Sequence, residues 1–396
     1  MHHLCFSLYK MAKPSGSPCQ GQPANCGDNS AMTDASPVTD FRPPHTDEHA
    51  WQQLALGLNQ RVRLMESLTQ DLYGPQIALH RGLIPAALTL EHGLYLAAMR
   101  HVQPAHGPWL GMAWFDVAQD PTGLWWVLKQ STGIAPELVR GVWPKSVEQV
   151  PPSMLQAWRR AYPAPLDQPS SWVILDTSDV HAMTESPLRS DCGVTWAHPK
   201  HLLVQGRQLW LRLPDGLQRV HGLILGQNGD VLDPLEIPID VQTGITALFD
   251  ALRHGQLVMI NMPGLGFWNT PAWLGFLPAL SRQWLNQDLI LPSLPTWWLG
   301  EAQSWEQAWS GTRDGHLLPT YAGDGLHPAA MGQSLTPLDE YARALLRQQT
   351  DSQPEAWTLQ TSWWGGKPWR IQVQADANGQ TTLLNVAPTP NESSAD

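Results

Sequence analysis

The feature that most constrains the fold is a long run without a charged residue, from Gln256 to Ser281. The run is long enough to cross a bilayer, but two asparagines and three prolines interrupt it, at Asn261, Pro263, Asn269, Pro271 and Pro278. Polar and helix-breaking residues at that density are typical of a buried strand, a loop and a helix in a folded domain. We therefore expect no membrane span and a core built around this segment.

Composition is typical of a folded, acidic protein. Of the 396 residues 42% are hydrophobic, and acidic residues outnumber basic ones 35 to 24, for a net charge of −11. A protein that binds nucleic acid or an anionic membrane surface shows the opposite balance, so we expect neither partner. Three of the four cysteines lie in the first 26 residues. They form neither a disulfide framework nor a zinc spacing, which favours a cytoplasmic protein.

Shifts in composition divide the chain into five predicted parts. Residues 1–45 mix glycine, serine, proline and asparagine without apolar periodicity, which is typical of disorder, and Met32 is an alternative start. The proline-rich stretch 150–170 marks a boundary or linker. The predicted parts are a disordered leader (1–45), an N-terminal segment with a long helix and a hairpin (46–165), an α/β core (166–300), a C-terminal lobe (301–388) and a disordered tail (389–396).

Local patterns predict strands alternating with helices, which indicates an α/β fold class. Apolar residues recur at spacings of three and four from Trp51 to Leu72, so we predict one long amphipathic helix that is capped at Thr46 and ends near Gly74. The other predicted elements are hairpins over 109–128 and 369–386, strands at 172–175, 208–213, 218–225 and 257–262, and helices over 244–253 and after Thr270-Pro271 and Thr336-Pro337.

Two segments contain residues suited to ligand or metal binding. Gly264-Leu265-Gly266 follows a predicted strand and precedes a helix, an arrangement that can cradle a phosphate. The third glycine of a dinucleotide fingerprint is missing, so a tight turn is favoured. His198-x-x-His201 lies near the acidic loop 176–181 but lacks a helical zinc-binding spacing, and solvated loop histidines are favoured.

Six motifs follow one another between about Trp51 and Val386. They are Asp71 to Gln76 with Arg81 to Pro85, Asp116-Val117 with Pro121 to Leu128, Asp233 to Glu236, Gly255 to Gly266, Phe276 to Leu280, and Leu291 to Trp298. In order and spacing they resemble the type 2 circularly permuted ATP-grasp family of bacterial proteins. Proteins of this family are relatives of glutathionylspermidine-synthetase-like ligases. The resemblance implies α+β lobes that hold ATP and Mg²⁺ while a carboxylate is phosphorylated and captured by an amine.

Charged residues are replaced where the resemblance implies contacts to ATP and Mg²⁺. The replacements are Gln130-Ser131 for an Asp-Arg pair, Leu225-Gly226 for paired arginines, His316 to Thr320 for a Lys-Pro strand, Thr361 for a glutamate and Gln372 for an arginine. No lysine lies between Lys200 and Lys367. The chain also begins inside the family pattern and ends soon after it. We therefore expect a truncated, degenerate member with an incomplete nucleotide lobe.

Five residues are candidates for cofactor binding. Asp116, Asn261, Gly264 and Gly266 lie within the shared motifs, and Gln360 lies in the segment 354–361, which resembles the family's adenine hinge. Asp116 matches a possible metal ligand, but the carboxylate expected beside it is missing. A single carboxylate is a poor Mg²⁺ site, so we predict no metal site. No residue is singled out as catalytic.

These replacements lead to three hypotheses about function. The first is a non-catalytic accessory or binding protein, whose partner comes from the same system as an active ATP-grasp protein and transglutaminase-like proteases, as the resemblance implies. The second is an active ATP-dependent carboxylate–amine ligase that holds phosphates through Lys129, Arg140 or Lys145. The third is a carbohydrate binder that stacks sugars on tryptophan rings.

Tryptophan is unusually frequent, with 21 residues against six phenylalanines and six tyrosines. We expect about half of the tryptophans to pack in the core. An exposed apolar patch at Trp297-Trp298 or at Trp363-Trp364 fits a protein interface, because tryptophan is enriched in interface hot spots.

Overall fold

The computed structural model describes most of the chain after Pro43. The described residues are 43, 46–105, 107–133, 171–175, 188–189, 194–225, 233–236, 244–311, 314–320, 333–335, 344, 347–348, 350, 353–376 and 380–388. All of them belong to one compact unit, 38–396. Except for Pro43, the predicted leader lies outside the described residues, as do the predicted tail and most of the helix predicted after Thr336.

A single long helix, α1 (Glu48–Tyr73), begins the described fold and confirms the prediction from apolar spacing. Its N-cap is Asp47 rather than Thr46, since the Asp47 carboxylate accepts a hydrogen bond from the amide of Ala50 at 2.7 Å. The helix ends at Gly74, as predicted. The other helices are α2 (Ile77–His80), α3 (Leu248–Arg253), α4 (Trp273–Leu280) and α5 (Ala302–Gly311), with a π-helical turn at Ser281–Leu285 and 3₁₀ turns at Ala86–Leu88, Ala97–Met99, Pro199–His201, Gly266–Asn269 and Pro354–Ala356.

The described strands form four sheets. They are β1 (Met112–Gln119), β2 (Trp125–Thr132), β3 (Trp172–Leu175), β4 (Leu188–Arg189), β5 (Val194–Ala197), β6 (Leu202–Gln205), β7 (Gln208–Leu213), β8 (Gly216–Val220), β9 (Gly222–Leu225), β10 (Val258–Ile260), β11 (Thr296–Trp298), β12 (Gly315–Pro319), β13 (Gln333–Leu335), β14 (Trp357–Thr361), β15 (Trp369–Ala375) and β16 (Thr381–Pro388). The hairpin sheet has the antiparallel order β16-β15-β1-β2, and the mixed sheet has the order β10-β9-β3-β5-β4. The C-terminal sheet is β11-β14-β12-β13, and a three-stranded sheet is β6-β7-β8.

The hairpin sheet combines two strands from the N-terminal part of the described chain with two from its C-terminal part. Strand β1 pairs with β2 on one side and with β15 on the other, so both predicted hairpins are confirmed and become neighbours in one sheet. The predicted N-terminal segment and C-terminal lobe therefore share this sheet.

One predicted strand is wrong as a single element. The run 218–225 divides at His221, so that β8 extends the three-stranded sheet while β9 enters the mixed sheet between β3 and β10. A side chain at Gly222 would collide with the ring of Trp172, which leaves room only for glycine where the chain changes sheets. Residues on both sides of the break are compatible with a strand, and for that reason the run was predicted as one element.

The main core lies between α1 and the inner faces of the hairpin and mixed sheets. Tyr73, at the end of α1, stacks between Tyr95 and Trp109, with ring centroids 4.7 and 4.5 Å away. Trp268 and Trp273 are fully buried beside this stack, 4.3 Å apart. The uncharged run thus contains a buried strand, a loop and a helix, as predicted. Among the described residues no helix is both long and apolar enough to cross a membrane.

A buried arginine connects α1 to the loop before β11. Arg61 is fully buried, and its Nη2 donates to the carbonyl of Leu291 at 2.7 Å and to the Ser293 hydroxyl at 2.9 Å. Burial lowers the pKa of Arg61 to about 9, so the group stays charged at neutral pH. Its Nε and Nη1 have no hydrogen-bond partner among the described residues. The arginine therefore orders the loop at a considerable desolvation cost.

His92 makes the fold sensitive to acid. Its Nδ1 accepts the amide hydrogen of Leu94, so Nε2 carries the proton that bonds the Thr270 hydroxyl at 3.1 Å. Burial lowers the pKa of His92 from 6.5 to about 4. Between these values the unfolded chain binds the proton and the folded chain does not, so stability falls as pH falls. We expect His92 to contribute a loss of about 3 kcal/mol between pH 7 and pH 4.

Urea denaturation of the His92→Gln variant across this pH range measures that contribution. The variant should lose part of the pH dependence of the unfolding free energy, whereas the control His80→Gln, at an exposed position, should keep it. Equal slopes for the two variants would contradict the assignment to His92.

Candidate functional site

The candidate site is the polar face of the hairpin sheet. Along β1, Phe115 and Val117 point into the core, while Trp114 and Asp116 lie on the opposite face. The strand register places two basic residues directly across from Asp116, Lys129 on β2 and Arg370 on β15. An acidic residue at the centre of the sheet thus lies between two cations.

Asp116 is held in a two-point ion pair. Arg370 donates from Nε and Nη2 to the two carboxylate oxygens at 2.7 and 2.8 Å, and both side chains are only 11% exposed. The guanidinium also lies over the ring of Trp114, 4.1 Å from its centroid. The ammonium of Lys129 lies 5.5 Å from the same ring. Fork-like arginine–carboxylate pairs are among the strongest polar contacts in proteins, so this geometry is well fixed.

The candidate Asn261 binds the backbone where β1 begins. Its side-chain oxygen accepts the amide hydrogen of Met112 at 2.6 Å, and its side-chain nitrogen donates to the Met112 carbonyl at 2.8 Å. Asn261 is buried, and both ends of its amide are used in aligning β10 with β1.

The candidates Gly264 and Gly266 lie in a tight turn inside the core. The Tyr73 hydroxyl donates to the Gly264 carbonyl at 2.6 Å, and Gly264 has a φ of +90°. Gly266 begins the buried 3₁₀ turn Gly266–Asn269. The side chain of Asn269, at the end of that turn, accepts hydrogen bonds from Ser131 and Thr132 of β2. Close packing against Tyr73 and β2 is a structural use for this segment.

Gly264 is expected to tolerate no side chain. An alanine Cβ at this position would collide with the Tyr73 hydroxyl, and the φ of +90° is unfavourable for a residue with a side chain. Gly264→Ala should therefore lower the unfolding free energy by about 2–3 kcal/mol. The matched control is Gly82→Ala, which has a φ of +65° but open space around the added Cβ, and should cost about 1 kcal/mol. Chemical denaturation of both variants checks this, and equal costs would show that the contact with Tyr73 is unimportant.

The candidate Gln360 connects the C-terminal sheet to the hairpin sheet. From β14 its side-chain nitrogen donates to the Leu128 carbonyl at 3.3 Å and to the Thr296 hydroxyl at 3.2 Å. Leu128 precedes Lys129, the residue opposite Asp116. The structure thus places Gln360 and Asp116 on either side of β2, whereas Asn261, Gly264 and Gly266 lie together behind the start of β1.

Neutral residues occupy the positions where the sequence comparison expected charges. Gln130 is buried opposite Phe115, and its amide atoms have no hydrogen-bond partner among the described residues. Gln372 lies opposite Trp114, and its nitrogen donates to the carbonyls of Ala113 and Gly133 at 3.0 and 3.1 Å. Neither side chain supplies the charge that a triphosphate or a metal ion requires.

The histidine pair is not solvated, contrary to expectation. His198 and His201 are both buried, and the side chain of His198 caps the turn Pro199–His201 by accepting from the amide of Lys200 at 3.3 Å. The acidic loop 176–181 lies outside the described residues. Within the described part of the chain, no three His, Cys, Asp or Glu side chains are placed to share a metal ion.

Several motif residues have structural roles. The Asp71 carboxylate accepts hydrogen bonds from the amides of Ile77 and Ala78, which fixes the start of α2. The Asp233 carboxylate accepts from the amides of Ala247 and Phe249 and fixes the start of α3. These carboxylates explain two conspicuous acidic motifs by backbone capping.

Sequence reasoning missed Arg370 and Trp114 as part of the site. It named Lys129 only as a possible phosphate ligand. The available signal was an aspartate inside an apolar strand, since a buried carboxylate needs a cationic or hydrogen-bonding partner. The identity of the partner depends on the pairing of β1 with β15, which lies outside any local pattern.

Comparison with known proteins assigns the chain to a family. A family model described as circularly permuted ATP-grasp type 2 matches residues 43–364. The chain belongs to this family. The mixed α/β sheets and their helices agree with the fold class expected from the sequence.

Three relatives of this chain are described as uncharacterized proteins. The protein sll0335 of Synechocystis sp. is 25% identical over 276 residues, which cover 65% of this chain and 57% of the relative. Rv2567 of Mycobacterium tuberculosis is 26% identical over 272 residues, covering 64% of this chain and 30% of the relative. Rv2411c of the same organism is 23% identical over 332 residues, covering 78% and 59%. The matched regions thus span less than two thirds of each of these relatives.

Proposed function

We propose that this ATP-grasp protein is non-catalytic and acts as an accessory or binding protein. The observation that carries the proposal is the pair of cations opposite Asp116. In an antiparallel sheet, directly opposed residues have Cβ atoms about 4.5–5.5 Å apart, so these are the positions from which a second carboxylate would complete a metal site. Lys129 and Arg370 occupy them.

The residues present do not fit a Mg²⁺ ion. Mg²⁺ requires oxygen ligands in near-octahedral geometry, commonly from one or two carboxylates and substrate phosphates. At Asp116 both carboxylate oxygens are already bound by Arg370, and a cation approaching them must displace the guanidinium. Electrostatic repulsion from Lys129 opposes the ion further. This face therefore does not support a phosphoryl-transfer step that depends on Mg²⁺ at Asp116.

The alternative is an active ATP-dependent carboxylate–amine ligase with an altered site. The observation in its favour is that Lys129 and Arg370 provide two positive charges against one negative charge on the same face. The other basic residues named for this role, Arg140 and Lys145, lie outside the described residues. For the non-catalytic form we propose an accessory role in a system that also contains an active ATP-grasp protein and a transglutaminase-type protease.

Calorimetric titration of the full chain with ATP and Mg²⁺ separates these two functions. The non-catalytic protein should give no saturable heat up to about 1 mM ATP, which corresponds to a binding free energy weaker than about −4 kcal/mol. Saturation at micromolar ATP, abolished by Asp116→Asn, would contradict the non-catalytic proposal and favour the ligase alternative. Asp250→Asn, which changes an exposed carboxylate on α3, is the control for net charge.

A further inference from the structure

Three tryptophans form an aromatic surface at the tip of the β1–β2 hairpin. We call Trp126, Trp363 and Trp364 the tryptophan platform. The ring of Trp364 meets Trp126 edge-on, with centroids 5.2 Å apart at 76°, and lies 5.0 Å from Trp363 at 39°. Trp126 and Trp363 are 6.4 Å apart. The platform thus presents contiguous aromatic surface from two separate parts of the chain.

The tryptophan platform contains the one exposed tryptophan among those whose side chains the structure describes. Of the 18 whose side chains are described, eight are buried and only Trp364 is exposed, at 47%. Trp298 is buried, and its indole nitrogen donates to the Glu355 carbonyl. The prediction of an exposed patch at Trp297-Trp298 is therefore wrong for Trp298. Of the patch expected at Trp363-Trp364, Trp364 is exposed and Trp363 is half-buried. Leu124, also exposed, lies two residues before Trp126 on the same hairpin.

Hydrogen bonds fix the rings of the platform. The indole nitrogen of Trp126 donates to Asp120 at 3.0 Å, and that of Trp363 donates to the Gly366 carbonyl at 2.8 Å. The amide of Gly366 in turn donates to the Gln119 carbonyl at 2.8 Å, which holds the loop against the hairpin. Because two of the indole N–H groups are already satisfied, a ligand meets mainly ring faces and edges. A surface ordered in advance loses little entropy when it binds.

The negative charge of Asp120 beside the platform favours a cationic ligand. Asp120 bonds Trp126 directly, and hydrogen bonds from the Thr122 hydroxyl and from Trp126 lower the pKa of Asp120, so the carboxylate is ionised at neutral pH. The faces of indole rings carry negative potential and attract ammonium and guanidinium groups. The net charge of −11 adds a long-range attraction for a basic partner. A sugar gains only hydrogen bonds from its hydroxyl groups to the carboxylate and a proline-rich segment gains none, whereas a cation also gains the attraction between opposite charges.

We propose that the tryptophan platform docks a lysine- or arginine-bearing segment of a partner protein. The side-chain cation of the partner lies over the exposed ring of Trp364, and the Asp120 carboxylate supplies the countercharge. The inference is independent of ATP binding, because the platform and the Asp116 pair use different residues.

Peptide binding to the full chain tests this docking surface. The probes are an arginine-containing peptide and a peptide of the same length with glutamine in place of arginine, compared by calorimetry at low salt. We expect the arginine peptide to bind at least tenfold more tightly. Trp364→Ala and Asp120→Asn should each weaken its binding at least fivefold, and Trp364→Phe should restore part of it. Lys367→Gln removes the only positive charge of the loop 362–368 and should strengthen binding.

Two matched variants control for non-specific effects. Trp210→Ala removes a half-buried tryptophan of the three-stranded sheet, and Asp288→Asn removes an exposed carboxylate. Both should leave the affinity unchanged. Equal binding of the two peptides, no binding of either, or equal losses in the control variants would overturn the proposal. So would tight binding of chitotetraose or oligoproline that is insensitive to Asp120→Asn.

Discussion

Trp268→Ala is expected to destabilise the protein by about 4 kcal/mol, the size typical of a large aromatic side chain lost from a core. The ring is fully buried and packs 4.3 Å from Trp273. Its indole nitrogen donates to the Thr69 hydroxyl at 2.8 Å, so the substitution also leaves a buried hydroxyl with one fewer partner. Urea denaturation measures the loss directly.

Trp364→Ala is the control for that measurement. Nearly half of this side chain is exposed, so losing its ring contacts with Trp126 and Trp363 should lower the unfolding free energy by only about 1 kcal/mol. Comparable losses in the two variants would mean that the exposed ring contributes to the core. The pair thus separates the tryptophans that stabilise the fold from the one that we assign to binding.

Much of the fold was predictable because its information is local. The spacing of apolar residues in α1 repeats over its whole length, and Gly74 ends the helix where the sequence changes. Each hairpin has a turn signal between two β-prone runs. The break at His221 was not predicted in this way, since the residues on both sides of it are compatible with one continuous strand and the two halves join different sheets. Contacts distant in sequence determine that choice.

The candidate site was less predictable, because its key contacts join distant parts of the chain. Asp116 and Arg370 are 254 residues apart, and only the register of β1 with β15 brings them together. Comparison of motifs identified the neutral residues Gln130 and Gln372 but could not show which cation faces the aspartate. The buried Arg61 was missed for a similar reason, since its partners lie about 230 residues away. Polar residues inside apolar elements were the one available signal.

Removing the two cations opposite Asp116 should create a site for a divalent metal ion on this face of the sheet. In the double variant Lys129→Glu, Arg370→Gln, one carboxylate replaces the lysine directly across from Asp116, and the guanidinium no longer occupies the carboxylate oxygens. Two carboxylates on opposed strand positions are close enough to share a divalent ion. We expect the affinity for Mn²⁺, a paramagnetic substitute for Mg²⁺, to rise at least tenfold, as measured by water-proton relaxation.

Two single variants identify the cause of that gain. Arg370→Gln frees one carboxylate but leaves Lys129 opposite it, and Lys129→Glu adds a carboxylate but leaves Arg370 paired with Asp116. Each should bind Mn²⁺ much more weakly than the double variant, because a metal ion needs both oxygen donors and the absence of a competing cation. If the double variant folds, as judged by its circular dichroism, and still binds no Mn²⁺, the two cations are not what opposes metal binding at Asp116. A gain confined to the double variant would show that the opposed cations on β2 and β15 act together against a metal ion at Asp116.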